Sequence, residues 1–95
     1  MTLIWTRRAI ADVQAIKQFI AQDSPHAAQL VAQRLVAAVE RLTLFPESGR
    51  IVPELADPQI REVVQGSYRI VYRLLGQQAH ILTVHHSARL FTLGQ

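Results

Sequence analysis

The spacing of apolar side chains changes once along this chain, and that change dictates the layout. Val31, Leu35, Ala38, Leu42 and Phe45 recur at steps of four and three, with no glycine or proline before Pro46. That is the period of an amphipathic helix. From residue 60 the apolar positions alternate instead, most clearly in "YRIVYRLL", where Tyr68, Ile70, Tyr72 and Leu74 share one face. Helices first and paired strands last predict an α+β domain.

Local signals fill in the rest. "TLIW" is a short strand that stops at Thr6, whose hydroxyl suits the first turn of a helix. Ala9, Val13, Ile16 and Ile20 form the inward stripe of that helix, widened by Ile10 and Phe19, and it ends near Gln22. "DSP" restarts the chain, with Ser24 as cap and Pro25 at the first helical position, where its missing N–H does no harm. The second helix is expected to run about 20 residues, or about 30 Å, and to pair with the first as an antiparallel hairpin. "FPESGRIVPELADP" reads as a loop, because Pro46, Gly49, Pro53 and Pro58 punctuate it. "IREVV", "YRIVYRLL" and "AHILTVHH" then form a meander, turning at "GS" and at "GQQ". The predicted order is β-α-α-β-β-β, with the helical hairpin packed on one face of a small, mainly antiparallel sheet. Trp5, Tyr68 and Tyr72 are assigned to the core.

The 95 residues suffice for one domain, 1–95, and 49% apolar content with four glycines and four prolines argues against disorder. There is no cysteine for a disulfide or thiolate site, and no apolar run approaches the roughly 18 residues that span a bilayer. The first residues lack the order of a signal peptide, so the expected location is cytoplasmic. Ten basic residues face seven acidic ones, and nine of those ten are arginine, Lys17 being the other. The planar guanidinium suits phosphate and carboxylate, so the excess points to an anionic partner, nucleic acid or an acidic protein segment. Codon bias toward arginine and alanine explains the same composition.

Placement of the basic residues bears on that choice. With Tyr68, Ile70, Tyr72 and Leu74 toward the helices, Arg69 and Arg73 face away. A three-residue turn at "GQQ" sets Arg69 opposite His85, with Arg89 just beyond, whereas a two-residue turn sets Val84 there. In the first register the face could bind phosphate and move a proton. In the bland reading, alternating arginine is simply how a wetted sheet face looks. His85 and His86 are adjacent and point to opposite faces, so with His26 and His80 they make no metal site. Asp12 and Glu40 read as solvated helix charges. Ser24, Ser48, Ser67 and Ser87 are explained by caps and turns, and no glycine-rich phosphate loop follows a strand.

Four fragments in order, "IWTRRAIADVQAIKQFIAQDSPHAAQ", "LFPESGRIVPEL", "IREVVQGSYRIVYRL" and "ILTVHHSARL", resemble the RelE/ParE superfamily of type II toxin–antitoxin toxins. The resemblance implies a cytoplasmic growth inhibitor without cofactor or metal, in a hetero-oligomer with a cognate antitoxin whose C-terminal segment wraps it. It implies one of two targets. In a RelE-like ribosome-dependent mRNA interferase, Arg69 would contact the scissile phosphate and Arg89 would support the transition-state charge. Arg61 falls near a further basic position, and His85 or His86 would supply the acid or base. The tyrosine of that branch would fall near Gln95, where none stands, and its second lysine finds only Glu62 or Val63. In a ParE-like inhibitor of DNA gyrase, the favoured branch, the long second helix and the "FPESGR" loop fit better. There Arg69 and Arg89 become part of the antitoxin groove or are inherited scaffold; as a set, Arg61, Arg69, Arg73 and Arg89 are the expected anion- or antitoxin-binding residues. A third reading is a non-toxic module that binds an acidic peptide.

Overall fold

A computed structural model describes residues 1–88. The elements are β1 (Thr2–Trp5), α1 (Arg7–Ala21), α2 (Pro25–Glu40), a single 3-10 turn (Arg41–Thr43), β2 (Arg50–Ile51), β3 (Ile60–Gln65), β4 (Tyr68–Leu75) and β5 (Gln78–His86). The described strands form one sheet in the order β1-β5-β4-β3-β2; β1 runs parallel to β5 and the other pairs are antiparallel.

Both caps form as the sequence predicts. Thr6 Oγ1 accepts the Ala9 N–H at 3.2 Å and donates to the Ile81 carbonyl at 2.6 Å, so the start of α1 is fastened to β5. Ser24 Oγ accepts the Ala27 N–H at 3.1 Å, with Pro25 opening α2. The second helix is shorter than expected. After Glu40 the chain tightens into the 3-10 turn, where Thr43 Oγ1 donates to the Glu40 carbonyl at 2.7 Å. Leu42 still reaches the core, but the tighter turn swings Phe45 outward, leaving it 62% exposed. Phe19 (72% exposed) and Ile10 likewise lie outside the buried stripe they were expected to widen.

Two differences in the sheet matter more. The loop after α2 contains a two-residue strand, β2, which pairs Arg50 with Glu62 and Ile51 with Arg61. The second hairpin turn is two residues, Gly76 and Gln77, with Gly76 at φ 57°, a backbone region that glycine enters without a Cβ penalty. That turn alone would put Val84 opposite Arg69. A β-bulge restores the other pairing: Tyr72 faces Ile81 but Val71 faces Thr83, so Leu82 is an extra residue and Arg69 ends opposite His85.

The main core lies between the sheet and the hairpin, with Leu35, Val39 and Leu42 packed against Ile70, Tyr72, Ile81 and Val84. The far face is not bare. Residues 52–59 cross it, and Val52 and Leu55 pack with Ile60, Val71 and Leu82 as a second apolar cluster. Tyr72 locks the other side of this region. Its hydroxyl donates to the Pro46 carbonyl at 2.8 Å and accepts the Gly49 N–H at 3.0 Å. Burial raises the pKa of this phenol above its ordinary value, so it remains protonated and able to donate. A Cβ on Gly49 would sit 2.6 Å from the Tyr72 oxygen and 2.7 Å from the Glu62 carbonyl, and the latter is backbone that cannot give. Gly49→Ala is therefore expected to lower unfolding free energy by about 1–3 kcal/mol, read as a lower urea midpoint at unchanged slope.

Candidate functional site

Strand alternation puts Arg69 and Arg73 on the face away from the helices, as expected, and β5 brings His85 directly across from Arg69. The surroundings of Arg69 are acidic. Its Nη1 lies 3.3 Å from Glu54 Oε2 and 3.6 Å from Glu62 Oε1. The Glu62 side chain is fully buried, and its other oxygen, Oε2, accepts from both Nε and Nη2 of Arg50 at 2.6 Å. Glu54, Arg69, Glu62 and Arg50 thus form a line of alternating charge in which two carboxylates balance two guanidiniums. A buried carboxylate is tolerable only when paired in this way.

The other sequence-assigned residues do not join Arg69. Arg73 stands four residues further along β4, about 13 Å away at strand rise, and Val71, packed in the second apolar cluster, lies between them. Its Nε is buried without a hydrogen-bond partner among the described residues. Arg61 lies on the opposite face, because it pairs with Tyr72 and is one residue off Glu62. Its guanidinium donates to the carbonyls of Gly49 at 3.0 Å and Glu47 at 3.4 Å, a structural brace for the loop that Tyr72 also holds. His86 is exposed on the helix side, its ring edge-on to Tyr68 at 5.7 Å. The two histidines leave β5 toward opposite faces, although both border the cleft between α1 and the end of that strand. Among the described residues no three metal-ligating side chains cluster. Arg89, and with it the expected juxtaposition of Arg69 and Arg89, lies outside the described residues.

Asp12 corrects the sequence reading outright. It is not a solvated helix charge: Oδ2 accepts the Thr83 hydroxyl at 2.6 Å and the Val84 N–H at 3.0 Å. Val84 belongs to the part of β5 beyond the end of β1, so Asp12 covers an unpaired sheet edge. No local pattern on α1 could have shown this, since the partners are 71 and 72 residues away. Beside it runs a half-open cleft of about 370 Å³ between α1 and the end of β5, lined by Ile16, Phe19, Tyr68, Val84 and His86 among others. Sequence reading also missed which cations stay available. Arg7, Lys17 and Arg34, all on the helical hairpin, are exposed and make no ion pair within the described residues.

Burial, and then the charge of Arg69, lowers the affinity of the His85 imidazole for a proton below its ordinary value. The folded chain therefore holds a proton at His85 less readily than the unfolded chain does. The stability that neutral His85 supports is complete above pH 6.5, the ordinary imidazole value, and declines as pH falls from there toward the lower folded value. Urea unfolding of the parent should weaken between pH 7.5 and 5.5 more than that of a His85→Gln variant; identical slopes would contradict a neutral buried imidazole.

With this geometry in view, comparison with known proteins is specific. Residues 3–91 match the family described as ParE toxin of type II toxin-antitoxin system, parDE. The chain is 44% identical over 89 residues to Toxin RelE2 of Caulobacter vibrioides, covering 93% of this chain and 97% of that protein. It is 33% identical over 89 residues to Toxin RelE1 of the same organism, covering 90% and 91%. Among solved structures, a chain of the chromosomal ParDE TA system from P. aeruginosa superposes with a TM-score of 0.75 at 27% identity, over 90% of this chain and 95% of that one. A chain of the RelBE2 toxin-antitoxin complex from Mycobacterium tuberculosis shares the fold, with a TM-score of 0.56 at 24% identity over the same shares. The two helices, the five-stranded mixed sheet and these matches together make the chain a member of the ParE toxin family within the RelE/ParE superfamily, the toxin of a type II toxin–antitoxin module.

Proposed function

We propose that this toxin arrests growth by binding a protein target, DNA gyrase as in the ParE branch, rather than by cutting messenger RNA. The observation that supports this reading is the state of Arg69. A guanidinium that must grip a scissile phosphate has to be available to it, and this one faces two carboxylates within 3.6 Å. His85 beside it is buried and held neutral, and Arg61 is spent on backbone carbonyls.

The cognate antitoxin is the other partner in this proposal. The α1–β5 cleft, with Phe19 and Ile16 on one wall and Tyr68 and Val84 on the other, suits the apolar side of a wrapping segment. The exposed cations of the hairpin suit its acidic side. No helix of the described residues is long and apolar enough to cross a membrane, which agrees with action in the cytoplasm.

Expression without an antitoxin should stop bacterial growth, and the purified protein should inhibit gyrase supercoiling or trap cleaved DNA while ribosome-bound message stays intact. Arg69→Ala is the discriminating variant, since Glu62 keeps Arg50 as its partner. Growth arrest should persist in it once a cooperative melt shows that it folds. For a nuclease, loss of one charge-stabilising donor would lower cleavage by roughly two to three orders of magnitude. Message cleavage in the parent that disappears in Arg69→Ala would overturn the proposal.

A further inference from the structure

The four arginines of the sheet are not equivalent. Arg50 and Arg69 face Glu62 and Glu54, and Arg61 donates to the Gly49 and Glu47 carbonyls. Arg73 has no such partner. Among the described residues no carboxylate lies within ion-pair distance of it, and its Nε is buried without a hydrogen bond. Its neighbours explain why. Across the sheet it meets Ile60 on β3 and His80 on β5, and along its own strand Val71 and Leu75 share its face. None of these side chains is an acid. His80 Nε2 lies 2.9 Å from Gln78 Oε1; an amide oxygen only accepts, so this nitrogen carries the hydrogen and is already engaged. The loop over this face ends beside Arg73, where the Leu74 N–H donates to the Gln59 carbonyl at 2.8 Å. Its two acids are committed elsewhere, Glu54 to Arg69 and Asp57 to the Gln59 N–H at 2.9 Å.

A half-buried guanidinium without a counter-charge costs stability, because burial removes water that nothing in the fold replaces. With Nε buried, the outer Nη edge is what a ligand meets. The charge available there is one unit. Arg50 and Arg69, the other guanidiniums of this face, already face carboxylates, and Arg69 is about 13 Å away along β4. A single planar cation matches a single planar anion, so the group that fits is a carboxylate rather than a phosphoryl dianion. The surroundings favour one carried on a peptide. Ile60 and Leu82 form an apolar floor next to Arg73, and Leu75, two residues on, is 42% exposed on the same face. A free carboxylate would use the guanidinium alone, whereas a peptide would cover Leu75 as well.

We propose that Arg73, near the C-terminal end of β4, is a carboxylate-binding site that takes an aspartate or glutamate side chain of a protein partner. The site is separate from Arg69 and its acids and from the α1–β5 cleft. It stands apart from the identity of the growth-arrest target.

The test is an NMR titration of the full chain with a blocked pentapeptide carrying a central glutamate, and with the same peptide carrying glutamine. The amide signals of Ile60 and His80 and the Arg73 Nε–Hε signal report binding. The glutamate peptide should bind about tenfold or more tightly than the glutamine peptide. Arg73→Lys, which keeps the charge but not the planar fork, should weaken that preference, and Arg73→Met should remove it. Arg73→Met should also melt no lower than the parent, since the charged head it lacks is uncompensated. Equal binding of the two peptides, or a glutamate preference that survives in Arg73→Met, would overturn the proposal. A melting midpoint of Arg73→Met clearly below the parent's would overturn it too, because the guanidinium would then belong to the frame. So would acetate binding as tightly as the glutamate peptide, or a phosphodiester dinucleotide binding more tightly.

Discussion

The pairing of β4 with β5 fixes most of this molecule. It sets Ile70 against Val84 and Tyr72 against Ile81 in the main core, and Arg69 against His85 on the far side. Because side chains alternate with a period of two, a slip of one residue would exchange these sets and put guanidinium groups under the helices. The extra residue at Leu82 is what reconciles a tight two-residue turn with that arrangement. It also turns Leu82 into the second apolar cluster, against which Leu55 packs as well. One bulge thus serves both faces of the sheet.

The helical layer is tied to the same strand. Thr6 donates to the Ile81 carbonyl, and Asp12, two turns further along α1, accepts the Val84 N–H. These contacts lie on either side of the bulge and fasten α1 where β1 has ended and β5 would otherwise present an open edge. The cleft that faces Phe19 and Tyr68 begins where this fastening stops. Its shape is a consequence of how α1 crosses the end of β5.

Electrostatics divide the molecule differently from what its composition suggests. An excess of arginine over acid invites the picture of a basic sheet surface, yet the sheet arginines are largely consumed internally. Arg50 and Arg69 balance Glu62 and Glu54, and Arg61 braces carbonyls of the loop after α2. Such buried pairs add little net stability over apolar packing, but losing one member leaves a charge stranded. They specify geometry: where β2 sits, and where residues 52–59 cross the far face. Among the described residues, exposed positive charge without an ion pair includes Arg7, Arg8, Lys17 and Arg34 on the helices. Around Arg69 the sheet face is charge-balanced, and the hairpin carries exposed basic residues.

The sequence by itself determined the elements whose causes are local. Thr6 and Ser24 cap, Pro25 opens a helix, glycines turn the hairpins, and the change from helical to alternating period separates hairpin from sheet. The ordered motifs were enough to indicate the family. It did not determine β2, whose two residues carry no strand period, nor the bulge, which is a property of two strands together. Phe19 and Phe45 fit the helical stripe by spacing yet lie outside the core, because burial depends on where the stripe's partner ends. For the site, one strand's alternation was enough to put Arg69 on the far face, whereas the face of Arg61 is set by the pairing of β3 with β4. The acidic partners of Arg69 and the bonds of Asp12 were decided by tertiary structure alone. Glu54 is 15 residues from Arg69 and Asp12 more than 70 from Thr83, and no periodicity spans such separations. A residue's chemistry can be read from its letter, but whether that chemistry is free to act depends on what the fold brings against it.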